Sequence, residues 1–215
     1  MAIYVGNKRY APYIGDKRRR YMGGSSSLPY DAEIEYIAST GTSGFCIDTG
    51  ISRPSTFTSV QIECQMQFIS TRGRQIQGAS NATYFGVNAN KWEAAYNQLV
   101  GTADTDMHIL SKRLEVADNN SYFTFYVDNV QLFTQTIIYN ANHFSTNVFL
   151  FTIDSSLNIG TYAKMKKADI YINDALVRDY IPVRVGQVGY LYDKISGELF
   201  GNTKTNAFDI GPDKT

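Results

Sequence analysis

The chain has 215 residues, 20 basic and 20 acidic side chains and a formal net charge of zero. That length suits one sandwich-sized domain with a small appendage, and it can bury a core without disulfides or metal. Only 19% of residues are charged, and 16 Tyr and 12 Phe stand against one Trp. This balance favours many short pleated strands over helices, and the neutral total argues against a nucleic-acid-binding body.

The charge is unevenly spread. Residues 1–24 hold six basic residues against Asp16 alone, a net +5, which leaves −5 for the rest. Such asymmetry suggests an attachment arm on a mildly acidic body. The opening Met1-Ala2-Ile3-Tyr4-Val5-Gly6 has no apolar signal region, and no apolar run approaches the roughly 18 residues needed to span a bilayer. Synthesis in a cytoplasm without export by a signal peptide is therefore expected, with no membrane insertion. Cys46 and Cys64 are expected to be reduced core thiols.

A short repeat comes first: Tyr4-Val5-Gly6, Tyr13-Ile14-Gly15 and Tyr21-Met22-Gly23. The first two copies continue as Asn7-Lys8-Arg9 and Asp16-Lys17-Arg18. Gly beside Asn or Asp is turn chemistry, so each copy reads as a tiny strand with its turn. Three such strands cannot enclose a core and must pair with the main domain, with sister subunits or with a partner surface. The docking residues are taken as Tyr4, Gly6, Lys8, Arg9, Tyr13, Gly15, Lys17, Arg18, Arg19, Arg20 and Tyr21. The run Lys17 to Arg20 lacks interleaved stacking groups, which favours an electrostatic contact; an acidic protein surface, nucleic acid and a solvated turn are the three readings these residues allow. Gly23-Gly24-Ser25-Ser26-Ser27 reads as a flexible linker. The chain thus divides into an arm with linker at 1–27 and a main domain at 28–215.

Beyond the linker, Val60, Ile62, Cys64, Met66 and Phe68 alternate with Gln61, Glu63, Gln65 and Gln67, the period of a strand with one wet face. Ala89 to Leu99 is the one weak helix candidate. Phe123, Phe125 and Val127 alternate with Tyr122, Thr124 and Tyr126, and Asp128-Asn129 then leads into Val130-Gln131-Leu132-Phe133, a β-hairpin. Asn147 to Ile153 is nearly continuously apolar, as expected of a strand covered on both faces. A second hairpin spans Ala168 to Val177 around Asn173-Asp174. Many short strands with tight turns predict an all-β sandwich of two antiparallel sheets.

Two terminal segments carry a family resemblance. Tyr30 to Thr42 and Ile47-Asp48-Thr49-Gly50-Ile51 open the domain. Leu176 to Arg184, Gly189-Tyr190-Leu191-Tyr192-Asp193 and Ser196 to Asn202 close it. These segments resemble concanavalin A-like (laminin-G-like) jelly-roll domains, common among virion proteins of tailed phages of gut bacteria, including the crAss-like type. The resemblance implies a concanavalin A-like jelly-roll sandwich in which the first and last strands lie side by side. The Tyr-x-Gly arm is similar to docking segments of such virion proteins. It implies a head fibre, capsid decoration or tail-associated protein, a homo-oligomer with a trimer favoured, assembled in the host bacterial cytoplasm and displayed on the particle.

No enzyme is expected. Glycoside hydrolases on this fold need two carboxyl groups about 5–5.5 Å apart for a retaining mechanism. Glu33 with Glu35, and Asp104 with Asp106, have near-neighbour spacing but read as solvated acids. His108 and His143 lack a second ligand at zinc spacing. Asp118-Asn119-Asn120 fits a calcium loop or an ordinary turn equally well, and no metal or cofactor is assigned. Trp92 with Tyr84, Asn88 and Tyr96 forms a candidate glycan site for host surface sugars, because an exposed ring offers a flat apolar face. Packing of Trp92 against the sandwich is the stronger reading.

Overall fold

A computed structural model of the chain describes residues 3–5, 8–10, 28–52, 58–79, 84–94, 98–117, 120–138, 147–153 and 160–215. Within them the chain is all-β, without a helix, and every strand pairing is antiparallel. β1 (Ile3–Val5) and β2 (Lys8–Tyr10) pair only with each other. The sandwich begins with three short strands, β3 (Ala32–Glu33), β4 (Ile37–Ala38) and β5 (Ile47–Asp48). There follow β6 (Ser59–Phe68), β7 (Arg74–Gly78), β8 (Tyr84–Asn88), β9 (Lys91–Ala94) and β10 (Gln98–Val100). The middle holds β11 (Met107–Ala117), β12 (Asn120–Val127), β13 (Val130–Ile138) and β14 (Phe149–Leu150). The last five are β15 (Ala163–Ile172), β16 (Ala175–Val185), β17 (Val188–Asp193), β18 (Glu198–Phe200) and β19 (Asp209–Ile210).

These strands form the two antiparallel sheets of a jelly-roll sandwich. The smaller sheet runs β10-β9-β8-β7-β14-β5, and the larger runs β13-β12-β11-β6-β15-β16-β17-β18 with β3, β4 and β19 alongside. β6 sits in the larger sheet between β11 and β15, and its alternation turns Val60, Ile62, Cys64, Met66 and Phe68 to the buried face. Aromatic pairs bridge the two layers: Phe85 of β8 meets Phe125 of β12 at 6.0 Å, and Trp92 of β9 meets Phe68 of β6 at 6.1 Å. Each such side chain removed from water contributes about 1.5–3 kcal/mol before entropy is charged against it. Cys46 and Cys64 are both buried, and burial pushes the Cys64 thiol pKa up, so it packs as an inert hydrophobe.

Both hairpins expected from the sequence are present, with φ of 50° and 65° at Asp128-Asn129 and 51° and 63° at Asn173-Asp174. Two successive left-handed residues match the right-handed twist of the flanking strands. The helix candidate at 89–99 is replaced by strands. Ala89 and Asn90, at φ 50° and 63°, form a third turn of the same kind, and β9 returns along β8 with Trp92 and Ala94 turned inward. Gly86 lets this hairpin lie close to β7, since a Cβ there would stand 1.9 Å from the Gln75 carbonyl oxygen.

The apolar run 147–153 is buried from Val148 to Ile153, as its composition predicts, but only Phe149–Leu150 is strand. The ladder stops because Phe151 turns to φ 65° and donates its N–H to the Gln77 side chain at 3.1 Å. The terminal segments do lie side by side. β19 pairs with β4, β3 pairs with β16, and Ile34 bridges Asp213.

Candidate functional site

The arm presents the simplest geometry. Tyr4 lies in β1 and pairs with Arg9 in β2, while Val5 pairs with Lys8. Neither strand hydrogen-bonds to a described strand of the sandwich. Gly6, Tyr13, Gly15, Lys17, Arg18, Arg19, Arg20 and Tyr21 lie outside the described residues, as do Tyr96, His143, Asp118 and Asn119.

The candidate sugar platform takes a different form from an exposed one. Trp92 is 3% exposed and Tyr84 5%, so neither ring offers a face for stacking at the surface. Their burial follows from the β8–β9 hairpin, which turns Trp92 towards Phe68 and sets Glu93 on the other face. Glu93, fully buried, accepts two hydrogen bonds from Arg74 Nε at 2.8 and 3.1 Å and pairs with its Nη2 at 2.7 Å. The same Nη2 donates to Tyr84 Oη at 3.1 Å. Asn88 is half-buried at the end of β8. The alternative reading, Trp92 as core, is the one the packing matches.

In each carboxylate pair weighed in the sequence, one member fastens local structure. Glu33 accepts from Tyr30 Oη at 3.3 Å and lies 3.8 Å from Lys214 Nζ, while Glu35 is exposed. Asp104 sits in the loop before β11, accepts the Asp106 N–H, and holds His108 Nε2 at 2.8 Å. His108 Nδ1 meets Asp128 Oδ2 at 2.6 Å, and the Trp92 ring stands edge-on to the imidazole at 5.3 Å. Burial opposes charge on His108, but hydrogen bonds to Asp104 and Asp128 outweigh it and raise its pKa. The histidine read as lacking a metal partner is thus a clamp between a loop and a hairpin turn.

Two clusters escaped the sequence reading. On the outward face of the larger sheet, register places Glu63 beside Asp169 and Asp169 beside Asp179. Lys167 Nζ meets Asp169 at 2.7 Å, and Lys194 Nζ meets Asp179 at 2.7 Å. Burial raises the pKa of both Glu63 and Asp169; the Asp169 charge adds to the rise at Glu63 and the Asp179 charge to that at Asp169, while Lys167 partly offsets both. Only strand register brings these acids together, and no spacing along the chain signals it. Among the described residues, no group of three His, Cys, Asp or Glu is placed to hold a metal ion.

The second cluster is interior. Lys112 points from β11 into the sandwich, 2% exposed, with Nζ 5.3 Å from the Phe123 ring and 5.5 Å from the Phe133 ring. No hydrogen-bond partner reaches the amine, and burial lowers its pKa to about 7. Ser121 Oγ and Gln135 Oε1, on neighbouring strands of the same three-stranded end, are also buried without partners. The signal in the sequence is Lys112 at an inward position between Leu110 and Leu114, visible once the strand period is extended through the charged residues.

No protein-family model matches the chain, and no curated protein matches it in sequence.

Proposed function

We propose that the chain is a virion structural protein of the tailed-phage kind. In this reading residues 1–24 dock on capsid or other virion proteins, and the sandwich is displayed outward as a homo-oligomer. The observation that carries it is the arm: two antiparallel three-residue strands bearing Lys8 and Arg9, paired with no described strand of the sandwich. A two-stranded ribbon of that size is marginal by itself, so it acquires its stability from whatever surface supplies a further strand or acidic groups. The net +5 of the segment adds attraction to an acidic partner, strongest at low salt.

The test is a deletion of residues 1–27. The shortened protein is expected to keep the β-type circular dichroism and melting behaviour of the full chain while failing to enter particles. Normal incorporation of the shortened protein would overturn the proposal.

A further inference from the structure

The ends of the two sheets are unequal. β5, with two residues, and β10 and β18, with three each, are too short to template another strand over any length, and β18 carries Glu198 besides. β13 differs. Among the described residues it ends the larger sheet, and it spans nine residues that read Val-Gln-Leu-Phe-Thr-Gln-Thr-Ile-Ile, without charge, proline or glycine. Its one irregularity is near Leu132, where the register with β12 slips between Phe125↔Phe133 and Tyr126↔Gln131. The stretch from Phe133 to Ile138 beyond it is regular. Natural sheets usually protect a long edge with lysine, proline, a bulge or a cover, because its unpaired N–H and C=O groups recruit another strand. Among the described residues the bulge protects only the start of the strand.

We propose that β13 is the self-association edge of this protein, pairing antiparallel with β13 of a second copy about a two-fold axis. Charge selects this occupant. β12 is uncharged along its whole length, like β13, and its Tyr122 and Thr124 stand opposite Thr136 and Thr134. Two such edges meet without bringing like charges together, and the junction continues one uncharged Tyr/Thr/Gln face across both copies. The Lys8-Arg9 strand of the arm would instead find no acid on β13 to neutralise it. A two-fold pair also consumes both edges and stops there, whereas head-to-tail addition would leave an edge open and grow. The pairing is independent of what the arm binds.

Sedimentation equilibrium of the full-length chain at tens of micromolar should give a dimer. Thr134 and Thr136 are exposed on β13, and Thr134→Lys should give a monomer with unchanged far-ultraviolet circular dichroism. Thr136→Lys serves the same purpose if the first variant does not fold. Deleting residues 1–27 should leave the dimer intact. A monomeric or trimeric wild type, a dimer that survives both lysine variants, or a dimer lost on arm deletion would each overturn the proposal; the last would assign association to the arm.

Discussion

The two ends of the larger sheet are held by different chemistry. At the β16–β18 end, charged groups and backbone caps tie loops and termini together. Asp193, fully buried, accepts backbone N–H groups from Asp179, Ile195 and Ser196 at 2.9–3.2 Å, with Arg178 Nε at 3.6 Å. Arg184 grips Asp213 through two nitrogens, each at 2.6 Å, and Asp31 accepts the Gly186 N–H. At the β11–β13 end, the inner face is built from Phe123, Phe125 and Phe133, and its one cation has no anion. The first end specifies geometry through paired polar groups such as Asp193 and Arg184, which are costly to break. The second relies on area, which tolerates substitution but penalises the unpaired amine.

Asp193→Ala is expected to have the largest effect, because it strands three backbone donors and leaves Arg178 without its carboxylate. A loss of about 3–5 kcal/mol is the usual scale for breaking a buried ion pair, read by urea denaturation. A loss below about 1 kcal/mol would mean the cap is exchanged for water and the contrast between the ends is false.

Lys112→Met is expected to act in the opposite direction. The folded protein holds the amine neutral down to about pH 7, whereas the unfolded chain protonates it near its ordinary value. Between those limits the unfolded state binds more protons, so wild-type stability attributable to this group rises with pH. The methionine variant should therefore be more stable at pH 7, by an amount on the order of 3 kcal/mol, and the advantage should fade as pH approaches 10.5. Equal stability of the two proteins across that range would show that the amine is solvated after all.

His108→Gln probes the clamp between loop and turn at the junction with β9. The raised pKa means that the imidazolium stabilises the fold below the ordinary histidine value, and that this stabilisation is lost as pH rises through the higher folded value. The half-exposed setting of the two aspartates limits the gain to about 1 kcal/mol or less. The difference in melting temperature between wild type and variant should be larger at pH 5.5 than at pH 8. Arg184→Gln should have the smallest effect, a slight fall in melting temperature that shrinks further at high salt.

Where chemistry is local, the sequence reads directly as structure. Asp128-Asn129 and Asn173-Asp174 are side chains that tolerate left-handed backbone, and both hairpins turn there. Ala89-Asn90 makes the same turn with a residue that carries no such signal, so the 89–99 segment reads as a weak helix. The alternation of β6 is plain because Gln and Glu fill its wet face; that of β11 is masked by Lys112 standing where an apolar residue is expected. The fate of Trp92 depends on Phe68, on a strand 24 positions earlier in the opposite sheet. The Glu63–Asp169–Asp179 row depends on register across three strands. Neither arrangement has a short-range trace. The fold class was therefore readable from turns and periods, while the polar clusters required the tertiary pairing.

The closure of the terminal segments has a practical consequence. Lys214 donates its backbone N–H to the Glu33 carbonyl at 2.9 Å, and Glu35 donates to the Pro212 carbonyl at 2.9 Å, so the opening and closing segments of the sandwich run side by side. A few glycines could join them, and the polypeptide could be reopened at the Asp128-Asn129 hairpin tip, where both residues are exposed. The resulting circular permutant would keep the described sheet pairings outside the cut while moving the chain termini to the β12–β13 turn.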